Sequence, residues 1–268
     1  MLKDAASAGQ VSKSAAEIYD EFFVPALFGE WAGRLCERAR IAPGCAVLDV
    51  ACGTGATTRD ALTRVGSAGR VVGLDRNPDM LDVARRRTPD VDWTEGRAEA
   101  LPFADRSFDV VLCQFGLMFF DDRRQALKEM RRVVRSGGVV AVSVWDDAET
   151  SPGYARMIEL IDEMFGAAAA NALRAPFVLG HKPSFLSALE DAGFRETTVT
   201  TVTGAARFAS IREWVRMDVR GWTLAEFIDD AGYEAMVAEA EKRLGQFVVP
   251  DGSVEFPAPA HLAVWTAD

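Results

Sequence analysis

Two carboxylates and two glycines stand at spacings that fit a ligand containing an amino group and a ribose. Asp49 lies in the apolar run VLDVACGTG (47–55), which includes Gly53 and Gly55. Glycines at a strand-to-helix turn let the backbone approach a ligand closely, and the first N–H groups of the following helix are unpaired. An acid beside this turn would repel a pyrophosphate and attract a positive amino group.

Asp75 is the second acid, at the end of the next apolar run. Its carboxylate can accept hydrogen bonds from ribose hydroxyls. A dinucleotide fingerprint would place a third glycine where this chain has Thr58. A positively charged amino acid joined to a nucleoside describes S-adenosylmethionine. The alternative is that both acids are ordinary turn or helix-capping carboxylates.

Alternating strands and helices would position these residues. The predicted strands are short and rich in Val, at 46–51, 71–75, 91–94, 108–113 and 138–145. The predicted helices between them lie at 57–65, 77–87 and 123–134. Strand–helix–strand repetition of this kind predicts an α/β fold with a parallel sheet and right-handed crossovers. Ligands of such sheets bind beyond the carboxyl ends of the strands.

The second half is more helical. It contains predicted helices at 154–170 and 183–192, the latter closed by Gly193, and predicted strands at 196–203 and 261–267. Trp214, Trp222 and Phe227 lie in the helical stretch between these strands, either as core or as walls of an acceptor pocket. Because no linker-like segment separates the two halves of the chain, we expect a single domain. Its parts are an N-terminal helical cover (1–40), a cofactor-binding core (41–147), two helical substrate covers (148–195 and 204–259) and the C-terminal strands.

Four segments together resemble the successive motifs of class I S-adenosylmethionine-dependent methyltransferases. They are VLDVACGTG (47–55), VVGLDRNPDML (71–81), GRAEALPF (96–103) and FDVVLCQFGLMFF (108–120). The chain is most similar to the methyltransferase-11 group, which includes the ubiquinone/menaquinone-biosynthesis C-methyltransferases. The resemblance covers about residues 15–145. It implies a Rossmann-like, mostly parallel sheet of seven strands with helices on both faces, an antiparallel last strand and a helical cap.

The resemblance also implies roles for individual residues. The implied cofactor-binding residues are Tyr19, Asp49, Ala51, Gly53, Gly55, Asp75, Arg76, Met80, Ala98, Glu99, Gln114 and Phe115. Asp49 would hold the methionine amino group, and Asp75 would hold the ribose. Arg76, Met80, Ala98 and Glu99 would surround the adenine. Gln114 and Phe115 would line the methionine end, and Tyr19 would close over the cofactor.

Two departures from the family pattern matter. Arg97 stands where relatives often have Asp, so the usual side-chain contact to the adenine amino group is in question, and Glu99 is the candidate to replace it. The segment CQFG (113–116) replaces the Asn/Asp-Pro-Pro-aromatic segment of methyltransferases that act on nucleic-acid or glutamine amino groups. We therefore expect a small-molecule acceptor.

A general base is harder to identify. His181 is our candidate because its loop could border the pocket and the pKa of histidine lies near neutral pH. His261 and Tyr154 have weaker claims. The four cysteines lack C-x-x-C spacing and are expected to be buried thiols, and with two histidines in the chain we expect no metal site.

Composition and charge limit which partners and which cellular location we expect. The 268 residues have a net charge of −10, of which −7 falls after residue 150, and this works against nucleic acid or anionic lipid as partners. Met1 to Gln10 contain no apolar leader, and no 18-residue apolar run occurs, so we expect a cytoplasmic protein that does not bind a membrane. The choice between monomer and homodimer stays open.

The sequence thus predicts an enzyme that moves the methyl group of S-adenosylmethionine to a small, partly hydrophobic acceptor and releases S-adenosylhomocysteine. The methylated atom (O, C or N) is left open. One alternative is a non-catalytic, methyltransferase-like cofactor-binding subunit. Another is a nicotinamide-dependent oxidoreductase, which Thr58 and Asp49 disfavour.

Overall fold

A seven-stranded sheet forms the centre of the protein. The computed structural model describes residues 13–221 and 223–268. The strands are β1 (Ala46–Val50), β2 (Arg70–Asp75), β3 (Asp92–Glu95), β4 (Phe108–Gln114), β5 (Val134–Trp145), β6 (Thr198–Phe208) and β7 (Val254–Thr266). Their order is β3-β2-β1-β4-β5-β7-β6, and β7 runs antiparallel to both of its neighbours. The predicted α/β class, with a mostly parallel seven-stranded sheet and an antiparallel last strand, is confirmed.

Helices surround this sheet. They are α1 (Lys13–Ile18), α2 (Gly29–Arg38), α3 (Ala56–Val65), α4 (Pro78–Arg87), α5 (Arg123–Val133), α6 (Pro152–Phe165), α7 (Ala167–Arg174), α8 (Lys182–Asp191), α9 (Ile211–Arg220) and α10 (Asp230–Arg243). A π-helical segment, Tyr19–Phe28, connects α1 to α2. Local sequence explains several helix starts: Asn77 caps α4 ahead of Pro78, and Asp122 caps α5. Among the described residues, we find no helix that is both long and apolar enough to cross a membrane.

The predicted helix at 154–170 is in fact two helices. Gly166 separates α6 from α7, with φ +83° and its N–H donating to the Asp162 carbonyl. This left-handed φ favours glycine and ends the helix. The apolar residues keep a helical spacing on both sides of Gly166, so the sequence pattern did not indicate that one helix ends there and another begins.

The last two strands are longer than predicted. β5 pairs with β7 from Ala260 to Thr266, whereas β6 pairs with β7 along its whole length. Pro257 and Pro259 therefore lie where only β6 pairs with β7, a position that tolerates the missing proline N–H. The second helical insertion accordingly runs from 209 to 253 and not from 204 to 259.

The strand order locates the ligand-binding edge. β1 lies between β2 and β4, so the chain crosses to opposite sides of β1 in forming these two strands. In open α/β sheets a crevice forms at this point, outside the carboxyl ends of the strands. Asp49, Asp75 and Gln114 all lie at or near those ends.

Candidate functional site

The turn after β1 takes a conformation that requires glycine. Gly53 has φ +54° and Gly55 has φ +85°, and Ala51 shares the left-handed region with φ +56°. A Cβ added to Gly55 would lie 2.4 Å from Cη2 of Trp93. Backbone geometry and packing therefore both demand glycine at position 55.

Asp75 holds this turn against the end of β2. Its Oδ2 accepts the Gly53 N–H at 2.8 Å, and its Oδ1 accepts the Asn77 N–H at 2.8 Å. Burial raises the pKa of Asp75, and these two N–H donors oppose the rise. The carboxylate therefore fixes the two loops that border the crevice, and each oxygen keeps a lone pair for a further donor.

Asp49 is buried at the end of β1 with one oxygen unsatisfied. Its Oδ2 accepts the Thr58 hydroxyl at 2.6 Å, whereas its Oδ1 has no hydrogen-bond partner among the described residues. Burial raises the pKa of Asp49 to about 7; the Thr58 hydrogen bond opposes this rise, and the Asp75 carboxylate adds to it. A buried, unpaired carboxylate oxygen is suited to hold a cation or another hydrogen-bond donor.

Gln114 offers a second unpaired oxygen at the same edge. Its Nε2 donates to the Phe28 carbonyl at 3.2 Å, and its Oε1 has no partner in the part of the chain described. Phe115 follows in a left-handed conformation, with φ +52°. Its ring stacks on Trp145, with ring centroids 4.0 Å apart. This end of the crevice therefore combines acceptor oxygens with an aromatic wall.

The π-helical segment lies over the glycine turn. Cε1 of Tyr19 is 3.7 Å from the point where a Gly53 Cβ would lie. The ring packs against a small cluster that includes Met80. Burial, followed by the charge of Asp75, raises the pKa of Tyr19, which keeps its hydroxyl neutral. Tyr19 and Met80 are thus brought to the crevice as expected, although what they bind there stays a prediction.

Polar contacts tie together the residues that we assigned to the adenine end. Glu99 Oε1 accepts the Asp121 N–H at 3.1 Å, and Glu99 Oε2 lies 3.5 Å from Nε of Arg97. Arg97 also pairs with Asp121, and Arg76 lies 3.8 Å from the same carboxylate. Ala98 is buried beside them. Because both Glu99 oxygens already have partners, its proposed contact to adenine would have to compete with them.

The structure places His181 at a helix start, where its hydrogen-bond partner is local. This histidine is exposed at the start of α8, where its Nδ1 lies 2.8 Å from the Ser184 hydroxyl. His261, by contrast, is buried, with Nε2 lying 2.7 Å from the Gly180 carbonyl and 3.1 Å from Asp146 Oδ1. His181 therefore lies at a helix start, whereas His261 is part of the packed interior.

A small cavity lies under the helical cap, beside the aromatic wall. We call it the cap cavity; it is lined by Phe23, Leu27, Phe28, Trp145, Tyr154, Leu173, Pro176, Phe177 and Asp218. Its free volume is about 40 Å³. Sequence reasoning missed Asp218, because its helix looks amphipathic and nothing local marks a carboxylate that points inward. From the sequence, Thr58 served only as evidence against a dinucleotide-binding motif, which would have glycine at this position.

The aromatic residues of the second half separate into different roles. Trp214 is fully buried and packs against Phe208 and Phe256, so it belongs to the core. Phe227 is exposed, and Trp222 lies outside the described residues. Tyr154 and Phe177, by contrast, line the cap cavity.

A larger open groove lies away from the ligand-binding edge. Its volume is about 520 Å³, and its lining includes Arg70 and Asp92, which begin β2 and β3. It thus faces the amino ends of these strands. Ligands of open α/β sheets bind at the carboxyl ends of the strands, and this groove lies at the opposite ends.

Known proteins share this sequence pattern and fold. The family profile described as "Methyltransferase domain" matches residues 48–142. The ubiquinone/menaquinone biosynthesis C-methyltransferase UbiE of Hahella chejuensis is 41% identical over 118 residues, which are 42% of this chain and 47% of that protein. A demethylmenaquinone methyltransferase of Staphylococcus aureus is 34% identical over 188 residues, which are 65% of this chain and 78% of that protein.

A solved structure extends the likeness to the whole fold. Phosphoethanolamine N-methyltransferase 2 of Haemonchus contortus aligns with a TM-score of 0.62 at 16% identity, over 100% of this chain and 60% of that one. At this identity the alignment shows the fold alone.

Several of these sequence matches cover only about half of this chain, and the chain spans about half the length of those curated relatives. The Staphylococcus aureus relative is matched over more than two thirds of its length. On that match, and on the profile that covers the glycine turn and its neighbouring strands, the chain belongs to the class I S-adenosylmethionine-dependent methyltransferases of the methyltransferase-11 group.

Proposed function

We propose that the protein binds S-adenosylmethionine at the carboxyl edge of β1, β2 and β4 and transfers its methyl group to a small, partly hydrophobic acceptor. The observation that supports this most strongly is the pair of unpaired buried acceptors, Asp49 Oδ1 and Gln114 Oε1, beside the glycine turn. An amino group of the cofactor would satisfy both. A pyrophosphate would offer them no donor, which disfavours a nicotinamide cofactor.

Each part of the site has a task in this proposal. When bound, S-adenosylmethionine supplies an electrophilic methyl group on its sulfonium. Asp75 would hold the ribose, Asp49 and Gln114 the amino group, and Gly53 and Gly55 would let the backbone approach. Tyr19 would cover the bound ligand and exclude water. Positioning and exclusion of water can account for much of the rate of such a transfer.

The acceptor would lie in the cap cavity. Aromatic side chains from the π-helical segment, β5 and α6 make its wall apolar. Relatives are named for menaquinone and ubiquinone biosynthesis, and an acceptor with an aromatic ring would suit this wall. The methylated atom is left open in the proposal.

Calorimetric titration with S-adenosylhomocysteine tests the cofactor site. We expect wild-type protein to bind it and Asp75→Asn to bind it at least about tenfold more weakly, because a charge-assisted hydrogen bond is lost. Asp82→Asn is the matched control, since Asp82 is an exposed carboxylate on α4 that pairs with Arg85. Binding of NAD without binding of S-adenosylhomocysteine would overturn the proposal. Cofactor binding without turnover on any acceptor would favour the non-catalytic alternative.

A further inference from the structure

The cap cavity contains one carboxyl group in an otherwise apolar and aromatic lining. Asp218 contributes it from α9, and Tyr154 contributes the other polar side chain. Phe28 and Trp145 form the wall that continues to Phe115. The cavity therefore extends from Asp218 toward the proposed methionine end of the cofactor site.

Asp218 lacks the partners that a buried carboxyl normally has. The residue is 2% exposed, and its Oδ2 has no hydrogen-bond partner among the described residues. The three arginines on the same helix are engaged elsewhere, Arg212 with Glu234, Arg216 with Glu213 and Arg220 with Asp230. A carboxyl group left in this state is costly, because buried polar groups are almost always satisfied.

A second unpaired polar group lies one helical turn away. Nε1 of Trp214 is buried and has no hydrogen-bond partner in the part of the chain described. Burial raises the pKa of Asp218 to about 8, an increase that the Trp214 indole offsets in part. The Asp218 charge in turn adds to the raised pKa of Tyr154 after burial. The indole N–H is thus near enough to Asp218 to oppose the rise in its pKa, and Asp218 Oδ2 still has no hydrogen-bond partner among the described residues.

We propose that Asp218 binds the hydrogen-bond donor of the methyl acceptor, a small molecule with an apolar or aromatic body and one hydroxyl or protonated amino group. The inference rests on the proposed function, which places the cofactor beside this cavity. A hydroxyl group and a protonated amino group can each donate the hydrogen bond that Oδ2 does not receive from the described residues. The free volume of about 40 Å³ has room for only a few water molecules, so an acceptor must displace part of the wall as it enters.

Three probes of similar shape test this proposal. Toluene has no donor, benzyl alcohol has a neutral donor, and benzylamine has a cationic donor. Each is titrated by ligand-observed NMR into the full chain saturated with S-adenosylhomocysteine, and again without it. The variants are Asp218→Leu, which removes the acceptor oxygens, and Asp218→Asn, which keeps one oxygen but cannot ionise. Glu213→Gln on the same helix is the control, because Glu213 pairs with Arg216.

We expect wild-type protein to prefer benzyl alcohol or benzylamine over toluene by about tenfold or more. Asp218→Leu should abolish the preference, and Glu213→Gln should keep it. A wild-type preference for benzyl alcohol that Asp218→Asn keeps identifies a hydroxyl acceptor, and a wild-type preference for benzylamine that Asp218→Asn loses identifies an amine. The proposal is wrong if wild-type protein shows no preference, or if a folded Asp218→Leu variant binds all three probes as wild-type does.

The S-adenosylhomocysteine titration of the same samples separates the two proposals. A protein that fails to bind S-adenosylhomocysteine contradicts the proposed function, whatever the probes do. A protein that binds it normally and shows no donor preference contradicts the role of Asp218 alone. Melting temperatures of the variants show whether each one is folded.

Discussion

Thr58 supplies a hydroxyl hydrogen bond that a glycine at the same position could not make. Its hydroxyl donates to Asp49 Oδ2 at 2.6 Å and leaves Oδ1 free at the carboxyl edge. We expect Thr58→Val to destabilise the protein by about 1–3 kcal/mol, because a buried hydrogen bond to a carboxyl is lost, and to weaken S-adenosylhomocysteine binding. Urea denaturation and calorimetry measure the two effects.

Thr63→Val is the matched control for this change. Thr63 lies on the same helix, and its exposed hydroxyl donates to the Arg59 carbonyl. We expect a change of at most about 0.5 kcal/mol. Equal losses in the two variants would show that Thr58 does not orient Asp49.

Gly55 allows a second test at a single position. Gly55→Ala places a Cβ 2.4 Å from Cη2 of Trp93 and imposes a left-handed φ of +85° on alanine. Gly44→Ala imposes nearly the same φ, +86°, in open space, and should cost about 1 kcal/mol. We expect Gly55→Ala to be clearly less stable than Gly44→Ala in urea denaturation. Similar stabilities would mean that Trp93 moves aside easily.

Sequence reasoning found the parts of the site that lie close together along the chain. Asp49, the glycines and Asp75 belong to two successive strand ends, where a local pattern is enough. Asp218 could not be found in this way, because its proposed role depends on α9 packing against the π-helical segment and α6, which the Arg216–Phe22 and Trp214–Tyr154 contacts show. His181 was favoured because its loop could border the pocket and because the pKa of histidine lies near neutral pH, and the fold places it at an exposed helix start.

At the level of elements, ion pairs join the π-helical segment, the proposed cover of the crevice, to α3 and α4. Asp20, beside Tyr19, is buried and pairs with Arg87 of α4 at 2.7 Å and with Arg59 of α3 at 3.8 Å. We expect Asp20→Asn to loosen this cover, to raise hydrogen exchange in residues 13–28 and to speed S-adenosylhomocysteine release. The stability cost should be about 1–2 kcal/mol, since Arg87 is largely exposed.

The neighbouring Glu17 provides the control. It pairs with Arg86 at 2.7 Å, but both side chains are about half exposed. Glu17→Gln should leave exchange and ligand release nearly unchanged. If exchange in residues 13–28 is the same in Asp20→Asn as in wild-type protein, the Asp20 pairs do not hold the cover.

Sequence periodicity predicted most elements because their patterns are local. The strands and helices of the first half were placed within a few residues of their observed bounds. The misses depend on information beyond the pattern. The π-helical segment continues through Pro25, and the tolerance of β7 for Pro257 and Pro259 depends on which strand pairs on each side.

For the whole molecule, the uneven charge constrains the acceptor. Most of the net charge of −10 lies in the half that supplies α6 to α10. The cap cavity adds an unpaired carboxyl to that acidic half. A polyanionic acceptor would meet repulsion at long range and find no cation among the described residues of the lining, which supports a neutral or cationic small molecule.

The two buried carboxyls also predict how stability depends on pH. Burial raises the pKa of Asp49 to about 7 and that of Asp218 to about 8, whereas an unfolded Asp titrates near about 3.9. Between these values the folded state binds more protons than the unfolded state, so the free energy of unfolding falls as pH rises. We expect a slope near −1 kcal/mol per pH unit from Asp218 between about pH 5 and 7.

Asp218→Asn isolates this contribution, because the amide does not titrate. Urea denaturation of the ligand-free protein at pH 5, 6 and 7 should give a shallower fall in the variant than in wild-type protein. Asp251→Asn removes one charge from an exposed loop, where hydrogen bonds from Ser253 lower the pKa of Asp251. That control should keep the wild-type slope, because Asp251 is ionised in both states throughout this range. If Asp218→Asn also keeps the wild-type slope, then Asp218 is ionised in the folded protein at pH 5 and does not weaken the fold as pH rises.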